Sequence, residues 1–250
     1  GGNHRLLGRA GCERVRAADV CGVGLGGVGS WAVEALARSG MGQLTLVDFD
    51  EICITNSNRQ LHALAGNFGR PKVDVMAHRI RSINPDCPVN PVMAFYTAAT
   101  AEQILAAHYD YVVDAIDDSA MKCHLIAQCR ARGLPVIVSG GAGGRRDPTQ
   151  VRIADLAFSS HDGLLEQVRS RLRKEYHFPR GREPFGVDCV FSTERAVYPA
   201  DDGSVCAERP DHADLRLDSH SGFGTASFVT GAFGFALASQ VVRRIAETNP

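Results

Sequence analysis

The stretch Gly24-Leu25-Gly26-Gly27-Val28-Gly29 decides the fold of this 250-residue chain. It follows the apolar run DVCGV at residues 19–23, which predicts a buried strand, and it leads into an amphipathic helix predicted over residues 28–39. Glycines between a strand and a helix bring backbone N–H groups and the positive end of the helix against an anion. The stretch therefore predicts a phosphate-binding turn.

Strand and helix patterns continue to alternate along the first 140 residues. Further strands are predicted at residues 43–47, 89–94, 111–115 and 134–139, and further helices at residues 71–83, 99–107 and 119–132. Alternation of this length is typical of right-handed βαβ units. The predicted fold class is therefore α/β, with a doubly wound, mostly parallel, Rossmann-like sheet.

The pattern changes after Pro148. A strand is predicted at residues 150–153, a charged helix at residues 163–174, a long loop at residues 176–186 and a mixed segment at residues 187–198. The chain then closes with an apolar helix, since residues 221–242 carry no charge. That length is sufficient to cross a bilayer, but its many small residues are equally typical of a buried or interface helix. We expect burial and not membrane insertion.

Composition excludes several classes of protein. The chain has 27 basic and 28 acidic residues, so a nucleic-acid partner must be met by a local patch and not by the whole surface. Its eight cysteines form no CxxC pair, which argues against a disulfide framework and a structural zinc site. With no secretory signal in the sequence, we expect a reduced, cytoplasmic protein.

Asp48 lies 19 residues beyond Gly29, at the end of the second predicted strand. A carboxylate at this position accepts hydrogen bonds from ribose hydroxyls. The ribose is common to NAD and ATP, so Asp48 leaves both an NAD-dependent oxidoreductase and an ATP-using enzyme open.

Basic residues further on favour ATP. Arg59 and Lys72 suit the β and γ phosphates and the charge that develops on departing pyrophosphate. Asp117, at the end of the fourth predicted strand, suits Mg²⁺ on those phosphates. Each residue has a simpler interpretation: Lys72 as a solvated helix residue, Arg59 in a surface ion pair with Asp50 or Glu51. Asp114, Asp117 or Asp118 are alternatives for the cap of the following helix.

Taken together, the pattern GxGGxG, aspartate, NxxRQ, lysine and DxxD resembles the superfamily of ubiquitin-activating-like adenylating enzymes, ThiF, MoeB and HesA, over roughly residues 20–145. In that family a carboxylate attacks ATP to give an acyl-adenylate and pyrophosphate. The resemblance implies that the nucleotide is bound by Gly24, Gly26, Gly27, Gly29, Asp48, Asp50, Asn56, Arg59, Gln60, Lys72 and Asp117. It further implies that Asp117 holds Mg²⁺ and is catalytic, together with Arg59 and Lys72.

The second half of the chain narrows the resemblance to one branch. Segments at residues 140–144, 147–150, 155–157 and 186–194 are similar to the tRNA threonylcarbamoyladenosine dehydratase branch, and the paired CxxC ligands common in the MoeB and ThiF branches are absent. Asp162-Gly163 stands where this branch usually has Asp-Pro, in a segment that we expect at the surface. An arginine is also expected near the start of the chain, and Arg5 is a candidate for it.

This branch implies an enzyme that adenylates a threonyl carboxylate on tRNA and cyclises it, releasing AMP and pyrophosphate, as a homodimer. Residues 1–145 would form the ATP-binding Rossmann-like adenylation domain, and residues 146–250 the C-terminal part of the same fold, with the tRNA-facing segments. The main alternative is an activator of a ubiquitin-like sulfur carrier, with a sulfur-relay protein as partner. A non-enzymatic nucleotide-sensing module is a further alternative.

Candidates for contacts to the substrate lie in the second half. They are Arg169, Arg171, Arg173, Lys174, Arg180, Arg182 and Cys189. The basic residues suit tRNA phosphates, with Tyr176 and Phe178 available to stack on a base, although a solvated amphipathic helix has the same composition. Cys189 has two interpretations: it would be a nucleophile if the chain were a sulfur-transfer relative, but we favour a positional or packing role. The histidines His62, His78 and His124 lack metal-ligand spacing, so we expect them to be structural.

Overall fold

A seven-stranded sheet organises the molecule. The computed structural model describes residues 2–200, 202–207 and 223–248. Its helices are α1 (Gly2–Ala17), α2 (Gly29–Arg38), α3 (Lys72–Ile83), α4 (Ala101–Ile104), α5 (Ser119–Ala131), α6 (Gly163–Glu175) and α7 (Ser227–Glu247). Its strands are β1 (Asp19–Val23), β2 (Gln43–Val47), β3 (Val89–Val92), β4 (Tyr111–Asp114), β5 (Val136–Ser139), β6 (Val151–Asp155), β7 (Asp188–Ser192), β8 (Tyr198–Pro199) and β9 (Val205–Cys206).

The strand order is β3-β2-β1-β4-β5-β7-β6, and every pair is parallel except β6 with β7. Helices α1, α2, α3 and α7 pack on one face and α4, α5 and α6 on the other, giving two apolar cores. The predicted doubly wound, mostly parallel α/β fold is confirmed. Strands from both sides of residue 145 belong to this sheet.

The register of the central strands brings four loops to one edge. Val23 pairs with Val47 on one side and with Asp114 on the other, and Asp114 pairs with Val138. The loops that begin at residues 24, 48, 115 and 140 therefore leave the sheet together. Ligands of open α/β sheets bind at the carboxyl ends of the strands, beside the point where strand order reverses.

The last helix is buried in the fold, as expected. Helix α7 packs against α1 and α2, and Val229, Phe233 and Leu237 lie in the core. Ser221, where the uncharged stretch begins, lies outside the described residues. Within the described ranges, no helix has both the length and the apolarity needed to cross a bilayer.

The sequence analysis did not predict helix α1, strand β7 or the short strands β8 and β9. Helix α1 was missed because glycines interrupt its pattern: Gly8 has a non-helical φ of 71° inside it, and Gly11 approaches α7 so closely that a Cβ would lie 3.2 Å from Ala246 Cβ. Strand β7 lies within the segment interpreted as mixed, yet it is an interior strand between β5 and β6. The segment at residues 176–186 is a loop, as predicted.

Candidate active-site cleft

A cleft of about 1010 Å³ opens at the carboxyl edge of the sheet. The predicted nucleotide residues that line it are Gly24, Gly26, Gly27, Asp48, Asp50, Asn56, Arg59, Gln60, Lys72 and Asp117. The structure therefore brings together side chains that are up to 93 positions apart in sequence, between Gly24 and Asp117. Gly29 lies behind this lining, in the first turn of α2.

Steric constraints explain the glycines of the turn. Gly24 has a φ of 89°, a conformation that disfavours a side chain. A Cβ on Gly29 would lie 1.8 Å from the carbonyl oxygen of Gly24, so the turn closes only with glycine there. A Cβ on Gly26 would meet nothing closer than Gln60 Nε2 at 3.7 Å. Gly26 instead leaves space in the cleft for an anion at the N-terminus of α2.

Two side chains hold the turn at Leu25. Asp48 Oδ2 accepts a hydrogen bond from the Leu25 N–H at 2.6 Å, and His62 Nε2 donates one to the Leu25 carbonyl oxygen at 2.7 Å. Burial raises the pKa of Asp48 and lowers the pKa of His62 to about 4, so His62 is neutral at physiological pH. His62 is structural, as predicted, but its contact with the turn was not foreseen.

The segment after β2 carries the predicted phosphate ligands against this turn. Its short 3-10 helix, Ile54–Asn56, is capped by Asn56 itself, whose Oδ1 accepts from the Cys53 N–H at 2.9 Å. The carbonyl oxygen of Arg59 accepts from Trp31 Nε1 at 3.0 Å and from the Thr230 hydroxyl at 3.2 Å. These contacts fix Arg59 beside Gly27, where a Cβ on the glycine would lie 3.4 Å from Arg59 Cγ.

Lys72 is neither solvated nor free to move. Its side chain is only 6% exposed, and Nζ lies 2.9 Å from Asp50 Oδ2. The ion pair that Asp50 makes is therefore with Lys72 and not with Arg59, whose Nη1 donates to the Thr55 carbonyl oxygen at 2.9 Å. Asp50 thus holds the ammonium group of Lys72 at the wall of the cleft.

The three aspartates after β4 have different roles. Asp114 is fully buried and pairs with the equally buried Lys122 at 2.9 Å. Asp118 caps α5, with Oδ1 accepting from the N–H groups of Ala120 and Met121 at 2.8 Å each. Asp117 is exposed and lines the cleft. Asp118 is therefore the helix cap, and Asp117 is available to a ligand.

The opposite wall of the cleft follows β5 and is anchored by Asp162. This aspartate is 4% exposed, so the expectation of a surface segment was wrong at this position. Its Oδ1 caps α6 at the Leu165 N–H (3.0 Å), and its Oδ2 accepts from the Gly141 N–H (2.9 Å). A Cβ on Gly140 would lie 2.1 Å from Asp162 Oδ2. Asp162 therefore joins the cleft wall to the helix that carries the basic residues.

A short segment before α7, residues 223–226, spans the two walls. The Gly144 N–H donates to the Gly224 carbonyl oxygen at 2.8 Å, and Asn58 Nδ2 donates to the Thr225 carbonyl oxygen at 2.9 Å. Phe223, Gly224 and Thr225 all line the cleft. These residues belong to the uncharged stretch that was predicted as helix, but α7 begins only at Ser227, because the backbone of residues 223–226 bonds to the two walls.

The basic residues of the second half divide into three that bond to nearby protein groups and three that are exposed to solvent. Arg169 donates to Ser159 Oγ, Arg171 pairs with Glu175 at 2.9 Å, and Arg173 donates to the Pro179 carbonyl oxygen at 3.2 Å. Lys174, Arg180 and Arg182 are exposed.

Two other substrate candidates are buried. Phe178 is 3% exposed and lies under the Arg130 guanidinium at 4.3 Å, so the expectation that it stacks on a base was wrong. Cys189 is fully buried in β7, and burial raises the pKa of its thiol to about 12. The structure places Cys189 in the core and not among the cleft residues.

Known proteins share this architecture. The chain is 47% identical over 247 residues to the tRNA threonylcarbamoyladenosine dehydratase of Escherichia coli K12, covering 98% of this chain and 92% of that protein. The Haemophilus influenzae protein of the same name is 44% identical over 98% of this chain and 92% of its own length. The solved structure of the E. coli tRNA N6-threonylcarbamoyladenosine dehydratase TcdA in complex with ATP has a TM-score of 0.86 at 43% identity, covering 98% and 92% of the two chains.

A more distant similarity covers only half of the chain. The molybdopterin-synthase adenylyltransferase of E. coli K12 is 38% identical over 132 residues, 53% of this chain and 52% of that protein. The family model of the ThiF family matches residues 3–250, which include the glycine-rich turn, Arg59, Lys72 and Asp117. The chain therefore belongs to the ThiF family.

Proposed function

We propose that this chain is an ATP-dependent tRNA threonylcarbamoyladenosine dehydratase, which adenylates the threonyl carboxylate and cyclises it with release of AMP and pyrophosphate. The observation that carries the proposal is that one cleft joins the glycine-rich turn, Arg59, Lys72 and Asp117. Relatives named for this activity match 98% of the chain, whereas the molybdopterin-synthase adenylyltransferase matches 53%.

ATP lies along the sheet edge in this proposal, with its ribose at Asp48 and its phosphates at the glycine-rich turn. The oxygens of Asp48 each accept one backbone N–H and retain lone pairs for ribose hydroxyls. Gln60 is buried in the cleft wall, and its Oε1 has no hydrogen-bond partner among the described residues. A buried amide oxygen without a partner is costly, which supports Gln60 as a group reserved for a ligand.

In the first step a carboxylate oxygen of the substrate attacks the α-phosphorus, and the bond to pyrophosphate breaks. Arg59 and Lys72 neutralise the charge that develops on the leaving group. Asp50 contributes by holding Lys72 Nζ at 2.9 Å, which reduces the side-chain entropy lost when the phosphates bind.

In the second step the carbamoyl group of the same side chain attacks the activated carbonyl carbon. AMP leaves with one carboxylate oxygen, a proton is released, and the nucleoside has lost one water. Nucleophile and electrophile belong to one molecule, so their effective concentration is high without an enzyme thiol. The burial of Cys189 agrees with that chemistry.

The side chains of the cleft fit Mg²⁺ only when bound ATP supplies further oxygen ligands. Among the described residues, no group of three His, Cys, Asp or Glu side chains is arranged to hold a metal. Mg²⁺ at nucleotide sites takes one or two carboxylates and completes its shell with phosphate oxygens and water. Asp117, exposed in the cleft, would supply the carboxylate. When bound, the ion neutralises phosphate charge.

The remaining parts of the proposal concern partners. The exposed residues Lys174, Arg180 and Arg182 supply a local basic patch for tRNA phosphates. Lys174 lies in α6, and the two arginines lie in the loop at residues 176–186 that follows it. We also propose a cytoplasmic homodimer. Residues 1–145 would act as the adenylation domain, and residues 146–250 would face the substrate.

The test is incubation of the protein with ATP, Mg²⁺ and tRNA carrying threonylcarbamoyladenosine, followed by mass analysis of the nucleosides. We expect AMP release and a nucleoside lighter by one water. No AMP and no mass change would overturn the proposal. Pyrophosphate exchange driven by a small carrier protein, and not by tRNA, would instead identify an activator of a sulfur carrier with a sulfur-relay partner. NAD binding without ATP binding would identify an oxidoreductase.

A further inference from the structure

The cleft extends well beyond the groups assigned to ATP. Asp48 follows β2, whereas the wall at residues 140–143 follows β5, three strands further along the sheet. Neighbouring strands are about 4.8 Å apart, so the two ends of the cleft are separated by about 14 Å. Arg59, Lys72 and Asp117 line the cleft together with both ends. The far end follows β5, the strand next to β4, so it lies beside the loop that carries Asp117 and away from the ribose position at Asp48.

The far end differs from the ATP end in its chemistry. Its described lining residues include Gly140, Gly141, Gly143, Leu164, Pro199 and Phe223, and none of these six carries a charge. Arginine and lysine side chains would be expected if this end received tRNA phosphates. An uncharged wall of glycines and apolar side chains instead suits a flat, neutral ring.

Phe223 is the aromatic surface at this end. It is partly exposed, and its ring lies 5.1 Å from that of Tyr198, with 42° between the two ring planes. Its position is tightly fixed, since a Cβ on Gly143 would lie 2.8 Å from Phe223 Cβ. The next residues, Gly224 and Thr225, are hydrogen-bonded to Gly144 and Asn58. A ring fixed on both sides loses little entropy when a ligand stacks on it.

We infer that Phe223 is a specificity-determining residue that stacks on the modified adenine base of the substrate tRNA, which rests against residues 140–143. This inference rests on the proposed function. Bases recognised by proteins in unpaired RNA are splayed out and stacked on aromatic side chains. A base at this end places its N6 substituent towards Arg59, Lys72 and Asp117, where the threonyl carboxylate must meet ATP.

The test separates stacking from packing. Phe223→Leu keeps apolar bulk over Gly143 but removes the ring, whereas Phe223→Tyr keeps the ring. We expect Phe223→Leu to raise KM for tRNA about tenfold, with KM for ATP unchanged and KM for tRNA restored in Phe223→Tyr. Phe158→Leu, which removes a half-exposed ring outside the cleft lining, is the matched control and should leave both KM values unchanged.

A second variant covers the case in which Phe223→Leu fails to fold. A Cβ on Gly141 would have no neighbour closer than 3.9 Å, so Gly141→Ala fits the fold but occupies space where the base would rest. It should also raise KM for tRNA and not KM for ATP. An unchanged KM for tRNA in either folded variant, with the wild type active, overturns this inference alone. A wild type that releases no AMP with modified tRNA overturns the proposed function itself.

Discussion

Asp48 and His62 hold opposite sides of one residue, Leu25: the carboxylate accepts its N–H at 2.6 Å and the imidazole donates to its carbonyl oxygen at 2.7 Å. The group assigned to the ribose and a buried histidine therefore fix the same peptide of the phosphate-binding turn. His62 is 1% exposed and must stay neutral to remain there at low cost. Protonation of His62 should consequently destabilise the folded chain.

We predict an acid-sensitive stability that originates at His62. Its pKa is lowered from 6.5 to about 4, so the unfolded chain binds more protons between these values and folding stability falls as pH falls through that window. The expected loss is about 3 kcal/mol between pH 7 and pH 4. Urea unfolding at several pH values measures it. In His62→Gln the free energy of unfolding should depend less steeply on pH. The control His78→Gln changes an exposed histidine and should keep the wild-type dependence. The same pH dependence in both variants would show that His62 is not the source of the acid sensitivity.

We predict that substitution of Gly29 lowers folding stability, whereas substitution of Gly26 weakens ATP binding. Gly29→Ala places a Cβ 1.8 Å from the Gly24 carbonyl oxygen and should cost about 3 kcal/mol or more of folding stability. Gly26→Ala meets no atom closer than 3.7 Å and should fold normally. It should instead raise KM for ATP at least about tenfold, since a hydrogen bond to a charged group is worth about 1.5–3 kcal/mol. Thermal melts and AMP-release kinetics separate the two effects.

Adjacent aspartates provide a matched test of catalysis. Asp117→Asn removes the carboxylate proposed for Mg²⁺ and should lower kcat for AMP release about a hundredfold or more. Asp118→Ala removes the cap of α5 and should cost about 1 kcal/mol of stability, with a much smaller change in rate per folded molecule. Equal rates in Asp117→Asn and wild type would remove Asp117 from the mechanism.

The exposed basic residues should govern the salt dependence of tRNA binding. Replacement of Lys174, Arg180 or Arg182 by Ala should weaken binding and reduce the slope of log K against log salt by about one per phosphate contact. Arg9→Ala on α1, where Arg9 pairs with Glu13, serves as the control for loss of a positive charge elsewhere. Filter binding at several salt concentrations measures the slopes. Identical slopes for all variants would place the tRNA on another surface.

Cys189 is expected to contribute packing alone. Cys189→Ala should cost about 1 kcal/mol of stability through the small cavity it leaves, while kcat for AMP release stays at the wild-type value. A hundredfold loss of activity in a folded Cys189→Ala protein would show that the thiol takes part in the reaction.

From β1 to β5 the chain was predictable because its local signals agree with its tertiary environment. Strands β1 and β2 were predicted with the observed bounds, since both are short apolar runs that end in turn residues. The alternation of elements is sufficient to predict that Asp48, Arg59, Lys72 and Asp117 lie near one sheet edge. What the pattern could not decide was which aspartate caps α5, because Asp117 and Asp118 are both suitable residues at that boundary.

The second half was less predictable because its contacts are long-range. Asp162 is charged and precedes a glycine, which is typical of a surface turn, yet it is buried by its bonds to Gly141 and Leu165. Phe178 precedes a proline in a polar loop, and only its packing beneath Arg130 shows that it belongs to the core. The bridge from Phe223 to both cleft walls depends on residues that lie far from it in sequence.

The buried pair of Asp114 and Lys122 limits how this sequence can diverge. Removing either charge leaves the other without a counterion in the core, which is strongly destabilising, whereas replacing both with apolar side chains of similar volume is often tolerated. Substitutions at positions 114 and 122 are therefore expected to be tolerated only when both residues change together. A library randomised at both sites and selected for folded protein should return the original pair or joint apolar replacements, and seldom a single exchange.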